Sequence, residues 1–73
     1  MQSNIHIGDE IRKLLNAQKR SINWLAEEIG YDRTNLSRKL NKQHLDAKLM
    51  IDISKGLNTD LFALYSQTFF VDN

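Results

Sequence analysis

Between Arg33 and Lys42 the chain carries four basic residues, Arg33, Arg38, Lys39 and Lys42, and no acidic one. Thr34, Asn35 and Ser37 are interleaved with them, and Leu36 and Leu40 are the apolar positions. A short helix with this pattern buries two leucines and shows solvent a surface of Arg, Thr, Asn and Ser. That surface is suited to the hydrogen-bonding edges of bases and to phosphate oxygens. Arg33 and Arg38 flank a face that also offers Thr34 and Ser37, and these four are the candidate base-contact residues. An arginine reads guanine through two parallel hydrogen bonds to O6 and N7, worth about 1–3 kcal/mol of discrimination. The competing reading leaves both arginines solvated or on phosphates alone.

Other chemistries find little support. The 73 residues include no cysteine, so neither a disulfide framework nor a thiolate metal site is expected. His6 and His44 have no second ligand at metal-binding spacing and read as surface histidines. Glu27 and Glu28 are adjacent, and on a helix they diverge by about 100°, too far apart to flank one bond. With no nucleophile and no phosphate-binding glycine loop, the expectation is a non-enzyme with no cofactor and no metal. The net charge of +1 gives no argument for nucleic acid, but the basic residues cluster at 33–42 and at Lys19-Arg20. No apolar run approaches the roughly 18 residues of a membrane span, and the first residues do not begin a signal peptide. A cytoplasmic chain without a membrane partner is therefore expected.

The basic stretch needs elements to hold it. Ile22, Leu25, Ala26 and Ile29 recur at helical spacing, with Ser21 as cap before them and Gly30 after them. Asp32 is placed to cap the helix that carries Arg33 to Leu40. Upstream, Ile7, Ile11, Leu14 and Leu15 predict a first helix over 5–18, with Asp9 and Glu10 opposing the positive end of its dipole. AQKR at 17–20 is the break. Downstream, Asp46 predicts the start of a fourth helix that turns Leu49, Met50 and Ile53 inward and ends at Gly56. Asn58 is expected to cap a fifth helix, with Leu61, Phe62, Leu64 and Tyr65 mostly buried. Tyr31 is expected to lid the core, and Leu45 to anchor the loop after the basic helix.

The stretch 21–42 resembles the helix-turn-helix of the Cro and phage-repressor type, the XRE family of small bacterial DNA-binding domains. That pattern asks for a small residue in the first helix, a glycine four later and an apolar residue six beyond it; here these are Ala26, Gly30 and Leu36. The run DRTNLSRKLN is also close to recognition helices of the family. One position departs: the apolar residue expected three after Leu36 is Lys39, with Leu40 next to it, which predicts a slightly rotated burial. The resemblance implies an all-α, compact, lambda-repressor-like five-helix bundle, and the periodicities agree with it independently. It also implies base contacts from the first, second and sixth residues of the recognition helix, here Arg33, Thr34 and Arg38. The loop after that helix, Asn41, Lys42 and Gln43, is implied as a phosphate-contact region.

Further phosphate contacts are expected from Lys19, Arg20, the backbone near Ser21, and Asn35. Residues 1–66 are read as the DNA-binding domain and 67–73 as an extended tail. Trp24 is expected to point outward and to be covered by Phe69 and Phe70 of that tail, by a second subunit, or by DNA, in that order. A chain this short buries only about 60% of its unfolded surface, so dimerisation would help it. The reading is a transcriptional regulator, most simply a repressor, that binds double-stranded DNA as a homodimer. Its rivals are a protein-interaction module and an antitoxin on the same fold, each with a protein partner.

Overall fold

The computed structural model describes residues 5–64. Among them are four α-helices and the start of another: α1 (Ile7–Ala17), α2 (Ile22–Ile29), α3 (Arg33–Leu40), α4 (Ala47–Leu57), then a helical turn over 62–64. No strand occurs among the described residues.

Each helix boundary has a local cause. The Ser21 hydroxyl accepts the backbone N–H of Trp24 at 3.0 Å and starts α2. Gly30 ends it at φ +72°, where Tyr31 N–H reaches back to the Ala26 carbonyl at 2.8 Å. Asp32 accepts from Asn35 N–H at 2.9 Å and starts α3. Asp46 does the same for α4 through Leu49 N–H, also at 2.9 Å. Lys19, at φ 58°, takes the left-handed position that ends α1, and Arg20 N–H closes the turn on the Leu15 carbonyl.

The core forms where these helices cross. α3 packs on both α1 and α2, and α2 packs on α4. Ile7, Ile11, Leu25, Leu36, Leu40, Leu49, Ile53 and Leu61 are fully buried. Burial of a Leu stabilises by about 1.5–3 kcal/mol, so Leu36 and Leu40 hold α3 while its other faces remain free for function. Tyr31 and Leu45 pack against this core at its edge. Lys39 is half-buried beside two fully buried leucines, so the apolar seam of α3 runs through Leu40 where the family pattern has position 39.

The far end of α4 differs from the expected arrangement. Gly56 does not end the helix, which runs on to Leu57. Asn58, at φ 54°, is its left-handed C-cap and not the N-cap of the next helix. Within the helix Gly56 leaves room for α2: a Cβ there would sit 3.0 Å from Ile29 Cγ2. The next helix is started by Asp60, whose carboxylate accepts Phe62 N–H at 3.0 Å. Leu61 is buried as expected, but Phe62 is 42% exposed. Tyr65 and the tail lie outside the described residues. Among those described, no helix is long and apolar enough to cross a membrane.

Candidate functional site

The outward face of α3 is built by its rotation about the Leu36–Leu40 seam. At about 100° per residue, Arg33, Thr34, Ser37, Arg38 and Asn41 fall within roughly 140° of one another, on an arc that excludes the two leucines. The structure brings these five together along one shallow groove. Arg33, Thr34 and Arg38 are exposed and Ser37 is half-buried, so all four base-contact candidates share one surface.

Neither guanidinium has an ion-pair or hydrogen-bond partner among the described residues. Two lysines elsewhere are in ion pairs, Lys13 with Glu10 at 3.3 Å and Lys48 with Asp52 at 3.2 Å. An unpaired guanidinium keeps all five N–H donors for an incoming acceptor.

Asn35 does not line this groove and is half-buried. A second groove, beneath α3, is lined by Lys39, Lys42, His44, Leu45, Asp46 and Leu49. Lys42 therefore faces away from Asn41, although the two are neighbours in sequence. Gln43 is tied inward: its side chain donates to the Ile5 carbonyl at 3.3 Å, and its own carbonyl accepts Ile7 N–H at 3.0 Å. As a phosphate contact it is the least free of the expected loop residues.

At the α1–α2 junction, Arg20 lines a third groove with Arg12, Leu15, Asn16 and Ile22. Its guanidinium lies 4.0 Å over the centre of the Trp24 ring. Stacking uses the flat face of the guanidinium and leaves its N–H edge for an acceptor. Trp24 is half-buried and packs against the core, so its cover includes Arg20, a neighbour not expected from the sequence. Phe69 and Phe70 lie outside the described residues. Lys19 and Ser21 are exposed beside Arg20, with the Ser21 hydroxyl committed to its cap.

Two residues not singled out for this surface turn out to organise it. Arg12 of α1 donates through Nη2 to the Ser37 carbonyl at 3.2 Å and to Asn41 Oδ1 at 3.0 Å. His6 caps α1, its Nδ1 accepting Asp9 N–H at 3.1 Å, while Nε2 lies 3.2 Å from the Asn41 carbonyl. An accepting Nδ1 puts the imidazole proton on Nε2, which then donates to that carbonyl. The contacts of Arg12 and His6 with Ser37 and Asn41 span 25 to 35 positions of chain, so no local spacing announces them.

Comparison with protein-family models, with curated proteins and with solved structures gave no match. Among the described residues no group of three or more His, Cys, Asp or Glu could hold a metal ion.

Proposed function

We propose that this chain binds double-stranded DNA as a transcriptional regulator, most simply a repressor, with α3 laid in the major groove. The observation that carries the reading is the single outward face of α3. It gathers Arg33, Thr34, Ser37 and Arg38, with both guanidinium groups unpaired among the described residues. An eight-residue helix anchored by two buried leucines is a rigid rod with one free side. The major groove admits such a rod, and arginines there meet guanine O6 and N7. The turn between α2 and α3, with Ala26 buried and Gly30 left-handed, supports the resemblance to Cro and phage-repressor domains.

One small module contacts few bases, and non-specific binding alone is typically about 10⁻⁴–10⁻⁶ M at physiological salt. Specific control is therefore assigned to a homodimer reading half-sites about 34 Å apart, one turn of the duplex. The test is fluorescence anisotropy with a labelled pool of random-sequence duplexes at low and moderate salt. The unmodified chain is run beside an Arg33→Ala/Arg38→Ala variant whose fold is verified by circular dichroism. Binding that falls steeply with salt and is lost in the variant supports the reading. No binding at low salt rejects it.

A second reading, a protein-interaction module on the same fold, draws on Ile51 and Phe62, which are 43% and 42% exposed. Under that reading the double arginine variant behaves like the unmodified chain toward its partner.

A further inference from the structure

Asn41 stands at the end of α3, in the same groove as Arg33 and Arg38. Its side-chain amide has two ends of opposite character, an acceptor oxygen and a donor NH2, so each must be matched to the neighbours it meets. Here the neighbour decides. Arg12 is donor-only, so the atom 3.0 Å from its Nη2 is the oxygen Oδ1. The same Nη2 also donates to the Ser37 carbonyl, 3.2 Å away, which fixes the guanidinium against α3 at two points. The Asn41 main chain is held as well, its carbonyl facing His6 Nε2 at 3.2 Å.

Building on the DNA reading above, we propose that Arg12 is a positioning residue for that surface. By donating to Asn41 Oδ1 it fixes the orientation of the amide, whose NH2 takes an acceptor on the duplex. The acceptor is a phosphate oxygen or the O6/N7 edge of guanine. Arg12 thus acts on the surface from the neighbouring helix, by holding the Asn41 amide in one orientation.

The experiment is a double-mutant cycle on the full chain, Arg12→Met, Asn41→Ala and both together, against the labelled random-duplex pool and the duplexes selected from it. Methionine keeps the aliphatic length of Arg12 and removes its donors, and thermal unfolding checks each variant for fold. Asn41→Ala is expected to weaken binding by roughly three- to tenfold, the range for one hydrogen bond. Arg12→Met is expected to weaken it similarly, and the double variant to be no worse than Asn41→Ala alone. A uniform loss across sequences in Asn41→Ala marks a phosphate partner; a preference relaxed at one base pair marks guanine. Equal losses from Arg12→Met with and without Asn41 would overturn the positioning role, since Arg12 would then act by itself. Binding that depends on Arg33 and Arg38 but ignores Asn41 would overturn this proposal and leave the DNA reading standing. No binding by the unmodified chain would overturn both.

Discussion

Gly8 lies against the carbonyl of Leu40: a Cβ built on Gly8 would overlap that carbonyl oxygen. The contact joins the first turn of α1 to the last residue of α3, and Ile7 N–H bonds to the Gln43 carbonyl beside it at 3.0 Å. Backbone meets backbone here, so no flexible side chain is available to give way. Gly8→Ala is expected to cost about 2–3 kcal/mol, the scale of overpacking a closed core. Urea unfolding measures it, and a midpoint equal to that of the unmodified chain would contradict the contact.

His6 serves as an unusual N-cap. Its ring accepts Asp9 N–H and reaches the Asn41 carbonyl, so it fixes α1 to the end of α3 as well as starting α1. His6→Ala is expected to lose about 1–2 kcal/mol, from the cap and the second bond together. His6→Asn keeps a cap acceptor and should recover about half of that loss. Denaturation midpoints at one fixed pH compare the three chains.

The guanidinium groups of Arg33 and Arg38 make no hydrogen bond or ion pair among the described residues. Replacing both with alanine should therefore change stability by no more than about 0.5 kcal/mol. The salt slope of duplex binding should fall by about 0.9 for each phosphate contact that is lost. Thermal melts beside salt titrations separate the two effects. A melt lowered by many degrees would show that the arginines support the fold.

A Cβ added at Gly30 would meet nothing within 4 Å, yet the residue's φ is +72°. Substitution is thus disfavoured by backbone conformation and not by crowding. Gly30→Ala should cost about 1–2 kcal/mol, and Gly30→Asn less, since asparagine tolerates the left-handed region better. Chemical denaturation of both variants checks the order.

Trp24 is the chain's single tryptophan, and Arg20 stacks 4.0 Å over its ring. Arg20→Ala should shift Trp24 emission to the red as water reaches the exposed ring face, and cost about 0.5–1 kcal/mol. Steady-state fluorescence reads the shift directly. Unchanged emission would mean that the stacked pair does not persist in solution.

The sequence by itself determined the local architecture. Ser21, Asp32 and Asp46 cap their helices, and Gly30 and the apolar spacings of α1 to α4 act as read, because each depends on residues within one or two turns. The common face of Arg33, Thr34, Ser37 and Arg38 follows from helical repeat alone. The end of α4 departs from the sequence reading: Gly56 is expected to end it and Asn58 to cap the next helix, whereas the helix runs to Leu57 and Asn58 is its left-handed C-cap. The close seating of Gly8 on Leu40, the hold of Arg12 on Ser37 and Asn41, and the bridge from His6 to Asn41 were decided only by the tertiary structure. These contacts join residues 25 to 35 positions apart, and only the packing of α1 across α3 brings them within reach.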